Sequence, residues 1–289
     1  MNTRLKFFGF ALTLVCLLSV VGSSFAHGEE VVESSVTLDN GVVGTLVQPA
    51  AEAPAPVVLL LHGFASSRDE VGDMYKRLAG ELAEYGIGSL RIDFRGWGES
   101  AGEMTDSTVS GQVEDAAAAY DYLSGLDWVD SECVGLVGFS LGGSIAVFSA
   151  GEHPDWYQSM ALWSTGGDLN EAFLEELGQE NFDTAASDGE VTIDLGFRMV
   201  TLGNDFFTGL DAYDYEAEFA NYDGALMVVA GSEDGSAEYL DWYRENAQGN
   251  LKASFLVEGA DHIYNVLTED QSHSDAVIEK TAAWFALSL

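Results

Sequence analysis

The stretch Val134–Ile145, VGLVGFSLGGSI, constrains the fold more than any other part of the chain. An unbroken apolar run leads into Gly138-Phe139-Ser140-Leu141-Gly142, and small and apolar residues at helical spacing lead out. The pattern G-x-S-x-G between a buried strand and a helix predicts a sharp turn with Ser140 at its tip. Strand and helix come so close at such a turn that side chains two positions to either side would collide. Glycine at 138 and 142 supplies the space, and Gly143 adds more. A serine held out in this way is a candidate nucleophile, because a base can reach its weakly nucleophilic hydroxyl. The five-residue pattern alone fits a Gly/Ser-rich turn of another α/β protein equally well, so its partners must be sought downstream.

The rest of the chain alternates strand and helix around this turn. VVESSVTL and VVGTLV flank Asp39-Asn40-Gly41, which predicts an antiparallel hairpin at a sheet edge. Val57–Leu61 reads as a strand buried on both faces, ended by His62-Gly63. Val71, Met74, Leu78, Leu82 and Tyr85 recur at three and four, predicting an amphipathic helix over 67–85 with Ser67 as its cap. Strands over 89–94, 133–139, 157–163, 226–230 and 253–257, with helices over 109–126, 140–151, 237–246 and 275–287, complete a mostly parallel sheet with helices on both faces.

Between Thr165 and Tyr222 the rhythm breaks. The segment holds fourteen acidic residues and one basic residue, Arg198, and is far too long for a βα loop. It is expected to be a cap inserted over the site, with helical character near 169–177 and an alternating piece near 191–199. Phe197, Phe206, Phe207 and Tyr213 favour packing over disorder.

Residues 1–26 read as a signal peptide. Arg4 and Lys6 precede the apolar segment Phe7–Val21, and Ser24-Phe25-Ala26 is a small-x-small cleavage site. The expectation is a secreted or periplasmic protein whose mature domain spans 27–289, with no stable membrane anchor after cleavage; the rival is an uncleaved anchor. Beyond that segment Cys133 is the lone cysteine, so the core must supply stability without an intramolecular disulfide. The histidines stand singly, and no metal-ligand spacing or cofactor motif is expected to operate. The chain carries 48 acidic residues against 11 basic ones, for a formal net charge of −37. Such a field disfavours nucleic acid, anionic membranes and polyanionic substrates, and predicts adaptation to saline surroundings.

Two later loops offer partners for Ser140. Gly231-Ser232-Glu233-Asp234 follows one expected strand and Gly259-Ala260-Asp261-His262 the next. Both fall at the sheet edge that carries Ser140, in the chain order serine, acid, base. His262 has an imidazole suited to proton transfer near neutrality, and Asp234 would orient it. Glu233 competes with Asp234. Asp261 is discounted because adjacent side chains point apart. The backbone N–H groups of Leu141, at a helix start, and of Phe64, in the His62-Gly63-Phe64 loop, are the candidate oxyanion donors. His62 itself is expected to bond loop backbone.

HGF at 62–64, DFRGWGES at 93–100, GFSLGG at 138–143, GSED at 231–234 and GADH at 259–262 together resemble the α/β-hydrolase superfamily over nearly all of the mature sequence. Within it the chain is similar to feruloyl and cinnamoyl esterases and their serine aminopeptidase and lysophospholipase-like relatives. The D-x-x-G-x-G-x-S loop with its following acidic helix carries this likeness, as does the insertion before the acid's strand. The resemblance implies an α/β-hydrolase fold with Ser140 as nucleophile, Asp234 as acid and His262 as base. Many of these relatives have His before the nucleophile, Gln after it and His in the glycine-rich loop, where this chain has Phe139, Leu141 and Trp97. The substrate neighbourhood is thus expected to be more apolar. The leading reading is a serine esterase acting on a small-molecule ester, with no cofactor. A peptidase or thioesterase on the same residues, and a noncatalytic binding protein on the same scaffold, are the alternatives.

Overall fold

The computed structural model describes residues 31–51 and 53–289, so the expected signal segment lies outside the described residues. Its elements are β1 (Val32–Thr37), β2 (Val43–Gln48), β3 (Ala55–Leu61), α1 (Met74–Glu84), β4 (Gly88–Asp93), α2 (Val109–Ser124), β5 (Val129–Phe139), α3 (Leu141–Glu152) and β6 (Ser159–Trp163). Then come α4 (Leu169–Leu177), α5 (Gln179–Asp188), β7 (Glu190–Asp194), β8 (Met199–Gly203), α6 (Asn204–Thr208) and α7 (Tyr215–Asn221). The chain closes with β9 (Ala225–Gly231), α8 (Leu240–Asn246), β10 (Lys252–Val257) and α9 (Ser272–Ser288).

Eight strands form one sheet in the order β1-β2-β4-β3-β5-β6-β9-β10. The β1–β2 hairpin sits at the edge and joins β4 antiparallel; every other neighbour is parallel. Because β3 lies between β4 and β5, the chain leaves it first to one side and then to the other. Loops that follow β3 and β5 therefore meet at the carboxyl edge, where ligands bind in such sheets.

The strands are apolar because both faces are covered. On β3, Val57, Leu59 and Leu61 join the core under α2 and α3, while Val58 and Leu60 join the core under α1 and α9. This two-faced burial explains the continuous apolar runs that replace alternation. The helix expected over 67–85 is shorter than its periodicity suggests. A 3-10 turn covers Val71–Asp73, α1 starts at Met74, and the Glu70 side chain, not Ser67, accepts from the Val71 N–H. Tyr85 is exposed, and Tyr75 takes the buried place beside Met74, Leu78 and Leu82.

The segment between β6 and β9 folds into α4–α7 and a separate two-stranded sheet, β7–β8. The Asp168 side chain caps α4 by accepting from the Glu171 N–H at 2.8 Å. Leu169, Phe173, Leu177, Val200, Leu202 and Phe206 belong to the same apolar cluster as α2 and α3, so the insertion shares the main core. No described helix is long and apolar enough to cross a membrane.

Candidate active site

Ser140 stands between β5 and α3 with φ 52° and ψ −121°, a conformation that non-glycine residues rarely adopt. Packing enforces it. A β-carbon at Gly138 would lie 2.3 Å from the Gly142 carbonyl oxygen, and one at Gly143 would lie 2.5 Å from the Thr165 side chain. The Ser140 N–H donates to the Trp163 carbonyl at 2.9 Å, which ties the turn to β6.

The loops after β9 and β10 arrive at the same edge. Ser140 Oγ lies 3.1 Å from His262 Nε2, and His262 Nδ1 lies 3.1 Å from Asp234 Oδ1. Asp234 is nearly buried, whereas the His262 ring stays open to the cleft. Glu233 is exposed. Asp261 turns into its own loop, accepting from the N–H groups of Ile263 and Asn265. The two loops approach closely because Gly231 has no side chain: a β-carbon there would lie 2.3 Å from the Ala260 carbonyl oxygen.

The charges are arranged to favour a protonated His262. Its surroundings desolvate the ring and oppose this, but the hydrogen bond and charge of Asp234 outweigh that effect, with Glu176 and Asp261 adding to it. The pKa rises above the ordinary histidine value. Asp234 is driven the other way: burial works against its charge, but His262 and then Ser236 hold the carboxyl below its usual range. Burial at the cleft pushes the Glu176 carboxyl up, and His262 pulls it back.

Phe64 and Leu141 line the cleft with Ser140 and His262. Neither of their backbone N–H groups has an acceptor among the described residues, and Leu141 opens α3, whose dipole favours negative charge there. His62 shows how the Phe64 N–H is aimed. Its Nε2 accepts from the Phe94 N–H at 3.2 Å, so Nδ1 carries the proton and donates to the Gly63 carbonyl at 2.8 Å. That carbonyl belongs to the same trans peptide as the Phe64 N–H, so fixing one end directs the other. Burial lowers the His62 pKa, although Glu70 and Gly63 pull upward, consistent with a neutral ring.

Glu70 is a participant that helical periodicity hides. It is buried, accepts from the Gly63 N–H at 2.7 Å and from Ser66 Oγ at 2.6 Å, and so braces the same loop. Glu176 is equally hidden, one acid among fourteen in its segment. For Arg198 the available signal is its rarity there.

The cleft is a cavity of about 960 Å³ with Phe64, Phe139, Leu141, Phe173, Phe197 and Leu267 among its apolar walls. Phe139 lies beside the His262 ring, with centroids 5.2 Å apart. Trp97 is placed differently from Phe139 and Leu141: it is buried behind the wall against Phe64 and donates to Ser107 Oγ at 2.8 Å. Among the described residues no group of histidines, cysteines or carboxylates is arranged to hold a metal ion.

A mostly parallel sheet with helices on both faces, and a serine, a histidine and an aspartate in hydrogen-bond sequence at its carboxyl edge, defines an α/β hydrolase. The chain belongs to the α/β-hydrolase superfamily. The family model described as serine aminopeptidase, S33, matches residues 52–194. An uncharacterized 31.7 kDa protein of Escherichia coli is 32% identical over 113 residues, 39% of this chain and 38% of that protein. The lysophosphatidylserine lipase ABHD12 of Xenopus tropicalis is 34% identical over 95 residues, covering 32% of this chain and 22% of its own length. These matches thus span well under half of either relative. Est1E of Butyrivibrio proteoclasticus, solved with ferulic acid bound, shares the fold with a TM-score of 0.73 at 20% identity, over 88% of this chain and 98% of that one.

Proposed function

We propose that this protein is a secreted or periplasmic serine esterase that cleaves short acyl or aryl esters through an acyl-enzyme. The observation that carries the reading is the continuous path from Ser140 Oγ through His262 to Asp234, with both contacts at 3.1 Å, beside two backbone donors that have no acceptor among the described residues. His262 Nε2 takes the Ser140 proton as Oγ attacks the ester carbon. The oxygen that becomes negative faces the N–H groups of Leu141 and Phe64. Collapse of this intermediate expels the alcohol, which receives the proton from His262. Water then repeats the sequence on the acyl-serine and frees the acid. Asp234 stabilises the imidazolium in both halves.

The apolar walls suit an acyl chain or an aryl ring, and the cavity has room for a small-molecule ester. Hydrolysis of p-nitrophenyl acetate and butyrate by the wild type, and its loss in Ser140→Ala, tests the reading. Equal turnover by the variant would defeat it. The aminopeptidase description of the matching family model supports a second reading, amide cleavage on the same residues. Turnover of aminoacyl p-nitroanilides in preference to p-nitrophenyl esters would select it.

A further inference from the structure

The loop that carries Phe64 is held from the inserted segment as well as from the sheet. Arg198, between β7 and β8, donates from Nη1 to the Ala65 carbonyl oxygen at 2.8 Å, and its guanidinium lies 5.5 Å from the centre of a Trp97 ring. Among the described residues every other arginine meets a carboxylate: Arg68, Arg77, Arg91, Arg95 and Arg244. In a chain with 48 acidic residues, this cation is given over to one loop carbonyl. An ionised donor makes a stronger hydrogen bond than a neutral one, and a planar guanidinium can stack on an indole while donating.

What it holds is a strained place. Ala65 is buried at φ 56°, a left-handed conformation that a β-carbon-bearing residue keeps only when its surroundings impose it. The Phe64 ring is enclosed from the same side, 5.0 Å from Phe173 of α4 and 5.7 Å from Phe206 of α6. Glu70 and His62 fix the loop at Gly63, and Arg198 fixes it at Ala65.

We propose that Arg198 is a positioning residue for ester cleavage: by holding the Ala65 carbonyl it keeps the Phe64 N–H aimed at the developing oxyanion, which ties the inserted segment to the loop that supplies this donor. The inference rests on the acyl-transfer reading above. It also links the cleft mouth to the chemistry, since Phe197, the residue before Arg198, lines the cavity.

Arg198→Met removes the donor and keeps an apolar stem over Trp97. Its kcat on p-nitrophenyl butyrate is expected to fall about ten- to a hundred-fold, less than the loss of a whole oxyanion donor, with KM within about twofold. The inhibition constant of an alkyl trifluoromethyl ketone, whose hemiketal puts an oxyanion in the same place, should rise by the factor that kcat/KM loses. The acid limb of the pH profile should not move, because the His262–Asp234 pair is untouched. In Arg198→Ala, added ethylguanidinium below denaturing concentration should restore kcat in part. Wild-type kcat and ketone affinity in the methionine variant, or a loss confined to KM, would overturn the proposal. So would loss of cooperative melting in both variants, which would make Arg198 a structural tie and nothing more. Ser140→Ala separates the two readings: inactive Ser140→Ala with fully active Arg198→Met defeats the positioning role alone, whereas active Ser140→Ala defeats the acyl-enzyme itself.

Discussion

Gly142 lays its bare α-carbon against Leu61: a β-carbon built there would lie 2.1 Å from the Leu61 carbonyl oxygen and 2.5 Å from that of His62. The first turn of α3 and the end of β3 are thereby pressed together, which brings the Leu141 and Phe64 amides to one cleft. Gly142→Ala must push backbone from backbone, since no flexible side chain can yield. A loss of about 3 kcal/mol in urea unfolding and of most ester hydrolysis is expected. An alanine variant with wild-type stability and activity would contradict this packing.

Asp234 and Glu233 are chemically alike and adjacent, yet Asp234 alone of the two meets His262. Asp234→Asn should lower kcat by about 10⁴, the effect of leaving the imidazole in the wrong tautomer. Glu233→Gln should change kcat by less than about twofold, as expected for an exposed side chain. Steady-state kinetics of the two variants decide between them.

The pH profile should carry the mark of the acidic surroundings. Asp234 is the main cause of the raised His262 pKa, with Glu176 and Asp261 behind it, so the acid limb of kcat/KM should lie above the ordinary histidine value. Glu176→Gln removes one negative neighbour and should move that limb to lower pH. Linkage has a definite sign here. The folded state holds the proton more tightly than the unfolded chain, so the contribution to stability is complete below the ordinary value and fades as pH rises through the folded one. An unmoved limb in Glu176→Gln would show that this carboxylate does not reach His262.

Phe197 is 74% exposed and lines the cleft mouth. Phe197→Ala should leave the melting temperature unchanged and raise KM for octanoyl more than for acetyl esters. Equal effects on both chain lengths would place the acyl group elsewhere.

Salt should stabilise this protein. A formal charge of −37 over the chain repels itself, and the screening length falls from about 10 Å at 0.1 M to about 3 Å at 1 M. Melting temperature and refolding yield should both rise with sodium chloride. Best behaviour at low salt would remove the case for a saline habitat.

Much of the fold is legible because the sheet is buried on both faces and its helices are amphipathic. Such patterns are local, and α4 begins and ends where its periodicity does, at Leu169 and Leu177. The start of α1 departs from its periodicity because Glu70, in a segment that looks helical, turns at φ 60° to send its carboxylate to the Gly63 amide. Trp97 reads as a pocket residue by its place in a glycine-rich loop, but it packs behind Phe64 and beneath Arg198.

The sequence by itself determined the turn at Ser140, the alternation that builds the sheet, and the order in which an acid and a histidine follow it. These depend on spacing along the chain, which glycine, apolar period and loop length record directly. Only the tertiary structure decided that Glu70 and Arg198 join His62 in holding the loop of Phe64, and that Trp97 packs behind Phe64. Those choices depend on where side chains point after distant segments have packed, and no period in the chain encodes that direction.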